Sequence, residues 1–176
     1  MKAIIILDQI QAGLGGKERA DTPLGGKKLA MGSAENVAHA LSAVDGEIMG
    51  TFYCGTDYYQ QNRDLVQGKF ARMSEKMAPD IVILGPTYDY PEFATMACEL
   101  GEYIQQNTKL PVILAIAQEK NEALLPTYQD RLTIVKMPKK GGTGLSDSID
   151  HLAQGCAVLA SGGDVATFKS DYCYHD

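Results

Sequence analysis

The sequence predicts an α/β fold, a three-layer sandwich in which helices cover both faces of a mainly parallel, five-stranded sheet. Short apolar runs alternate with longer amphipathic stretches along the chain, which is the order expected of βαβ units. Two of these runs, Ile81–Leu84 and Val112–Ile116, are apolar without a break, as is typical of parallel strands buried on both faces. The expected topology is Rossmann-like or flavodoxin-like.

Length and composition limit the function classes. The 176 residues, 45% hydrophobic and 22% charged, have the composition of one globular domain. The formal net charge of −6 argues against binding a nucleic-acid backbone, which needs clustered lysine and arginine. No stretch approaches the roughly 20 apolar residues of a membrane span, and the N-terminal apolar run is too short for a signal peptide. We therefore expect a cytoplasmic protein with no nucleic-acid partner and no membrane partner.

The first elements follow from local patterns. Lys2–Leu7 is a nearly unbroken apolar run and predicts the first strand, and the Gly-rich, charged stretch Gln9–Met31 predicts a long loop. Ser33 is a predicted N-cap for a helix over Ala34–Val44, whose apolar residues recur at helical spacing. Glu47–Tyr53 predicts the second strand.

The middle of the chain continues the alternation. Asn62–Met77 is amphipathic and predicts a helix. Pro79-Asp80 ends that helix before the third strand, Ile81–Leu84, and Gly85-Pro86 ends the strand. Phe93–Gln106 predicts the next helix because its apolar residues again follow helical spacing.

The last elements complete the predicted sheet. Val112–Ile116 is the fourth strand, Leu132–Val135 the fifth, and Leu145–Leu152 the final helix. The pattern weakens after this point. We therefore expect an α/β domain over residues 1–155 and a tail over 156–176 that is irregular or packed on the domain.

The first candidate site is the loop after the first strand, because ligands of open parallel sheets bind beyond the carboxyl ends of the strands. Gly13, Gly15 and Gly16 allow close backbone approach to a ligand, and Glu18 and Asp21 supply charge. The spacing does not match a phosphate-binding P-loop, and no helix follows directly. The alternative is a flexible loop whose glycines only permit turns.

The second candidate site is the turn after the second strand. Cys54 stands just before a predicted helix, where the helix dipole favours a thiolate, so Cys54 is a candidate catalytic nucleophile. Gly55 and Asp57 are candidate ligand-binding residues in the same turn. The alternative is a buried, inert cysteine with Thr56 or Asp57 as an N-cap.

The third candidate site joins two further strand ends. Gly85 and Pro86 follow the third strand, and Glu119 follows the fourth, where its carboxylate could bind an amine. The four cysteines lack CxxC spacing and the three histidines are scattered, so we predict neither a metal nor a cofactor. Cys98 is expected in the core, and Cys156 and Cys173 receive no role.

Four stretches together resemble a known family in order and separation. They are AGLGGKERADTP (Ala12–Pro23), TFYCGTDYY (Thr51–Tyr59), PDIVILGPTYD (Pro79–Asp89) and MACELGEYIQQNTKLPVILA (Met96–Ala115). The set resembles component B, the substrate-specific selenoprotein subunit of the glycine, sarcosine and betaine reductases. The resemblance covers nearly the whole chain.

The resemblance implies a part in anaerobic amino-acid reduction. In the family, a pyruvoyl-bearing partner captures the substrate amine, and the selenocysteine of component B attacks the substrate carbon. That selenocysteine lies in a C-terminal region with no match here, so the cleavage chemistry is not carried over. We expect a relative of the N-terminal domain that binds a small amino-acid or amine-like ligand or docks other reductase subunits. A homo-oligomer is a further expectation.

Two features of the match shape the hypotheses. The family has Gly-Arg where Pro91-Glu92 stands, and this charge reversal weakens binding of a carboxylate. The loops Gly13–Asp21, Cys54–Asp57 and Gly85–Asp89 are expected to converge. The alternatives are a thiol or redox enzyme using Cys54, a non-catalytic subunit, and a flavodoxin-like module for a phosphate-bearing cofactor.

Overall fold

Six strands form a single sheet in the computed structural model, which describes all of residues 1–176. The strands are β1 (Lys2–Asp8), β2 (Gly25–Lys27), β3 (Glu47–Cys54), β4 (Ile81–Leu84), β5 (Val112–Ala117) and β6 (Ile134–Met137). Their order is β2-β3-β1-β4-β5-β6, and every pairing except that of β2 with β3 is parallel. The predicted α/β fold with a mainly parallel sheet is confirmed.

The strand order places a topological switch point beside β1. The five parallel strands follow the order β3-β1-β4-β5-β6, which is the flavodoxin-like arrangement. The chain leaves β1 in one direction to form β3 and later returns to its other side to form β4. Crevices open beyond the carboxyl ends of strands where the winding direction reverses. The ends of β1, β3 and β4 are therefore the expected place for a ligand.

The strand count differs from the prediction by one. β2 lies inside the segment that was predicted as a long loop, and it pairs antiparallel with the outer edge of β3. Its sequence, Gly-Gly-Lys, has little preference for strands. A Cβ at Gly26 would lie 2.8 Å from the Phe52 ring, so the pairing depends on close approach to β3. Only that tertiary contact makes the segment a strand.

Seven helices surround the sheet. They are α1 (Ala34–Ser42), α2 (Thr56–Gln61), α3 (Arg63–Met77), α4 (Pro91–Asn107), α5 (Leu125–Tyr128), α6 (Leu145–Ser161) and α7 (Val165–Tyr172). Helices α1 and α6 pack together as one layer, and α3 and α4 pack together as the other. The residues of β4 and β5 are all buried, as their unbroken apolar runs predicted. No helix combines the length and the apolar character needed to cross a membrane.

The C-terminal part is helical up to Tyr172 and packs on the rest of the domain. Helix α6 continues past Leu152 to Ser161, so the expected boundary at 155 falls inside a helix. A Cβ at Gly155 would lie 2.5 Å from both the Ile113 and the Phe168 side chains. This glycine therefore permits close packing between α6, the sheet and α7. Beyond α7, Cys173 forms an antiparallel bridge with β6, so the tail covers the outer edge of the sheet.

Ser33 precedes α1 as predicted, but its hydroxyl does not cap the helix. No side-chain hydrogen bond joins Ser33 to the first turn of α1. The hydroxyl instead donates to the side-chain carbonyl of Gln11, which lies in the connection after β1. The serine therefore fastens this connection to the start of α1.

The β1–β2 connection is also fastened across the end of β3. The backbone N–H of Gly55 donates to the Thr22 carbonyl at 2.8 Å, and those of Asp57 and Tyr58 donate to the Ala20 carbonyl at 2.9 and 3.1 Å. A Cβ at Gly55 would lie 2.2 Å from that carbonyl oxygen. Glycine is required here by the close approach of two backbones.

We expect Gly55→Ala to lower the free energy of unfolding by about 1–3 kcal/mol, because the methyl group pushes the β1–β2 connection away from β3. Gly68→Ala is the matched control. Its Cβ would meet only the flexible end of Arg72, at 3.2 Å, and alanine is the better helix former by about 1 kcal/mol. Urea denaturation of both variants measures the difference. Equal free energies of unfolding for Gly55→Ala and Gly68→Ala would contradict the requirement for glycine at position 55.

Candidate functional site

A cavity of about 220 Å³ opens at the carboxyl ends of β1 and β3 and the start of α4. We call it the strand-end cavity. It is lined by Asp8, Gln9, Ile10, Lys17, Ala20, Thr56, Asp57, Tyr90, Glu92 and Phe93. Two of the three predicted loops, Gly13–Asp21 and Cys54–Asp57, contribute to it, whereas Gly85–Asp89 contributes no residue and only Tyr90, which follows that loop, lines the cavity. Its polar lining carries three carboxylates and one lysine.

Asp8 is the most unusual residue of this lining. It is the last residue of β1 and is only 2% exposed. Its Oδ1 accepts the backbone N–H of Gln11 at 2.7 Å, and no side chain donates to either carboxylate oxygen. No lysine or arginine lies within ion-pair distance. Burial raises the pKa of Asp8 from 3.8 to about 6, against the opposing effects of nearby backbone N–H groups and of Lys140.

Gln9 links the two loops that border the cavity. Its side chain is 2% exposed. The amide nitrogen Nε2 donates to the Gly16 carbonyl at 3.4 Å, and the amide oxygen Oε1 accepts the backbone N–H of Thr56 at 3.3 Å. One buried amide thus joins the glycine-rich loop to the first residue of α2 and holds the cavity walls in register.

The predicted site residues of the glycine-rich loop do not line the cavity, and several of them determine the local conformation of the loop. Gly13 and Gly15 have positive φ angles of 78° and 136°, which a side chain would disfavour. The Gly16 N–H donates to Oε1 of Glu18 at 3.0 Å, so this carboxylate closes a local turn. Asp21 is exposed. The ligand-binding roles of all five residues stay predictions, and Lys17 is the loop residue that reaches the cavity.

The start of α2 does not offer free amides to an anion. The backbone N–H groups of Asp57 and Tyr58 are both bound to the Ala20 carbonyl, and that of Thr56 is bound to Gln9. A phosphate group would need these donors. The Asp57 side chain lies in the cavity lining and adds negative charge. The local field therefore favours a cation.

Cys54 is fully buried, at 0% exposure. Its thiol lies 3.4 Å from the Gly55 carbonyl, and burial raises the pKa of the thiol to about 12. A nucleophilic cysteine needs the opposite conditions, an accessible sulfur and a lowered pKa. The catalytic role of Cys54 stays a prediction, and its burial weighs against it. All four cysteines are buried and unpaired.

The third predicted region lies at the same edge of the sheet. A Cβ at Gly85 would lie 2.8 Å from the Ala115 carbonyl oxygen, so Gly85-Pro86 passes close to β5 and does not line the strand-end cavity. Glu119 accepts the backbone N–H of Lys139 through Oε2 at 3.0 Å. Asp89 accepts that of Lys140 at 3.0 Å. These two carboxylates hold the β6–α6 loop.

A second, wider depression of about 610 Å³ lies at the ends of β5 and β6. The tail forms one side of it, and the rings of His151 and Tyr172 stack there with centroids 3.9 Å apart. Glu119 lies in its lining. No group of three side chains in the protein is arranged to hold a metal ion. The depression lacks a buried, unpaired carboxylate, so the strand-end cavity is the stronger candidate site.

Sequence reasoning missed four residues of the strand-end cavity as ligand contacts, namely Asp8, Gln9, Lys17 and Glu92. A usable signal existed for the first of them. Asp8 directly follows an unbroken apolar strand, and a charge at the carboxyl end of a buried strand is placed where ligands bind. The resemblance had drawn attention to the charge of Glu92, whereas no local pattern distinguishes Gln9 and Lys17 from surface polar residues.

We expect the thiols to be unreactive at neutral pH in the folded protein, because all four are buried and a thiol reacts as the exposed thiolate. Labelling with Ellman's reagent, with and without denaturant, checks this. A thiol that labels rapidly in the folded protein and is missing in Cys54→Ser would instead support the catalytic prediction.

We also expect Asp8 to lower stability as the pH rises. Its folded-state pKa is about 6 against 3.8, so the folded protein binds the proton more tightly. This contribution to stability is present at low pH and is lost as the pH rises from about 4 through about 6. A pKa difference of about 2 corresponds to about 3 kcal/mol.

Asp8→Asn keeps the shape without the charge and removes this pH dependence. The variant should be more stable than the wild type at about pH 7, by up to about 3 kcal/mol, and similar to it near pH 4. Urea denaturation across this range measures the difference, with the exposed Asp130→Asn as control. If the free energies of unfolding of wild type and Asp8→Asn changed with pH in the same way, the raised pKa of Asp8 would be contradicted.

Comparison with known proteins identifies the family of this chain. Residues 1–175 match the family described as glycine/sarcosine/betaine reductase selenoprotein B. The sarcosine reductase complex component B subunit beta of Peptoclostridium acidaminophilum is 24% identical over 119 residues, which are 68% of this chain and 27% of that protein. The glycine reductase complex component B subunit gamma of Peptoclostridium litorale is 23% identical over 168 residues, 95% of this chain and 37% of that protein.

These matches span much less than two thirds of the curated relatives. No solved structure matches the chain. The family match, by contrast, extends over all but one residue of the chain. The chain therefore belongs to the glycine/sarcosine/betaine reductase selenoprotein B family.

Proposed function

We propose that this chain is a subunit of an amino-acid reductase complex and binds a small amine-bearing or amino-acid ligand in the strand-end cavity. The observation that carries the proposal is the acidic lining of a cavity at the switch point of the sheet. Asp8, Asp57 and Glu92 contribute three carboxylates, and Lys17 is the only basic residue of the lining. The lining complements a cationic amine.

The size and shape of the cavity support a small ligand. Its volume is about 220 Å³, below the range of roughly 300–1,000 Å³ that is usual for drug-sized ligands. Tyr90 and Phe93 contribute aromatic surface, and aromatic faces attract cations. Lys17 can pair with a carboxylate of the same ligand. An amino acid of few heavy atoms fits this combination of charges.

Glu92 bears on the kind of ligand. The resemblance implies a basic residue in the family at this position, and Glu92 lies in the cavity lining. Replacing a basic by an acidic side chain shifts a pocket from anionic towards cationic groups. The charge reversal therefore strengthens the preference for the amine end of the ligand over its carboxylate end.

Binding, and not bond cleavage, is the role we propose for these residues. Cys54 is buried, and the lining offers no thiol to a ligand. Because the relatives are named as subunits of glycine and sarcosine reductase complexes, we propose that other subunits supply the chemistry. The anaerobic and cytoplasmic setting belongs to the same proposal.

We expect glycine and sarcosine to shift the NMR signals of residues around the strand-end cavity, because their ammonium groups complement its carboxylates. Glycolate, which carries a hydroxyl in place of the ammonium, should not. Glu92→Gln should weaken binding roughly tenfold, the loss expected for about 1.4 kcal/mol of charge pairing. Asp130→Asn, at an exposed position outside the cavity lining, is the control.

Three outcomes would contradict the proposal. Equal binding of glycolate and glycine would show that the ammonium is not recognised. Binding that leaves the NMR signals of the cavity residues unperturbed would place the ligand on another part of the surface, and so would an unchanged affinity in Glu92→Gln.

A further inference from the structure

The carboxylate of Asp8 lacks the partner that its burial calls for. Charged side chains with this degree of burial are ordinarily paired, because removing a charge from water is unfavourable without a compensating charge. Asp8 is 2% exposed, and its single hydrogen bond comes from the backbone of Gln11. Since Asp8 lines the strand-end cavity, a cation placed in that cavity is positioned to complete the pair.

The negative and neutral groups around Asp8 do not stabilise its charge. Cys54 lies opposite Asp8 on β3, and burial raises the pKa of this thiol, so it is neutral. Asp57 on α2 and Glu92 on α4 share the cavity lining. Their carboxylates give the same cavity further negative charge, which attracts a cation.

The positively charged groups around Asp8 do not form ion pairs with its carboxylate. Lys17 of the β1–β2 connection lines the cavity. Lys140 of the β6–α6 loop acts on Asp8 electrostatically, but its Nζ lies over the Tyr88 ring, 5.5 Å from the centroid. Neither lysine forms an ion pair with Asp8. The pairing position therefore stays open to a ligand.

We propose that Asp8 is the specificity-determining residue of the strand-end cavity, where its carboxylate pairs with a ligand ammonium that carries at least one N–H. The inference rests on the proposed function and adds the group that recognises the amine. An N–H donor can bond to the carboxylate, whereas a quaternary ammonium has no hydrogen to donate. Primary and secondary amines are therefore the ligands selected, over quaternary amines.

Proton release accompanies binding whenever Asp8 is protonated beforehand. The neutral acid gives its proton to solvent, and the resulting carboxylate pairs with the ammonium, so the total charge and the protons balance. The burial that raises the pKa of Asp8 to about 6 places this linkage close to neutral pH. Affinity for an amine is thus expected to fall as the solution is acidified.

The test begins with the protein alone. Carbon-13 NMR of the aspartate carboxyl groups, assigned with Asp8→Asn, should show Asp8 titrating near pH 6 and not with the exposed aspartates near about pH 4. Titration of Asp8 near or below pH 4 would show that a lysine already pairs with it, and would overturn the inference.

Binding is then measured with ethylammonium, whose charge is constant because alkyl ammonium groups titrate near about pH 10. Between about pH 7 and pH 5 its affinity for the wild-type protein should fall about tenfold, since the acid is mostly protonated at the lower value. Asp8→Asn should bind at least tenfold more weakly at pH 7 and lack this pH dependence. Tetramethylammonium should bind more weakly than ethylammonium.

Asp57→Asn serves as the matched control, because it removes a carboxylate from the same lining and leaves Asp8 in place. It should weaken binding but keep the pH dependence. If amines bind at the cavity equally well to wild type and Asp8→Asn, the proposed function stands and this inference fails. If ethylammonium, glycine and sarcosine all fail to bind the folded protein, both fail.

Discussion

The burial of β1 between two parallel neighbours is the constraint on which the rest of the structure depends. Hydrogen bonds to β3 on one side and β4 on the other occupy its backbone, and residues 3–8 are buried. The chain must wind away from β1 in two directions, and a crevice opens where these directions diverge. Asp8, at the end of this strand, thereby enters a poorly solvated position beside a cavity.

The hydrogen bonds that hold the β1–β2 connection against the end of β3 and the start of α2 decide the electrostatic character of that cavity. In many α/β proteins, free amides at this edge bind anions. Here the Ala20 carbonyl and the Gln9 side chain occupy the amides at the start of α2. What remains around the cavity is mainly carboxylate. The glycine-rich loop thus helps to give this cavity its acidic lining.

The position of Asp8 combines a loss of stability with the ligand recognition that we propose. A carboxyl group whose pKa is raised by burial destabilises the folded protein at neutral pH in its ionised form. An asparagine would avoid this loss. Unfavourable burial of this kind is frequent at functional sites, where a ligand supplies the missing interaction. The Cys54 thiol, although close by on β3, is buried without such an opening and serves the core.

Local sequence patterns determined the parallel strands and most of the helices, because hydrophobic periodicity reflects which faces are buried. The order of the matched segments, which pointed to the family that comparison then confirmed, was also contained in the sequence. The strand β2 and the full length of α6 were decided by tertiary contacts, since Gly26 and Gly155 read as breaks until β3 and α7 pack against them.

Tertiary contacts also determined which residues line the cavity. The sequence indicated the strand ends, where ligands of open parallel sheets usually bind, and it marked Asp57 among the residues that line the cavity. It could not show that Cys54 is enclosed, that Glu18 bonds to its own loop, or that Asp8 lacks a partner. Burial and pairing are relations between distant segments. Sequence therefore determined the fold and the edge that carries the site, and packing decided which charges remain available there.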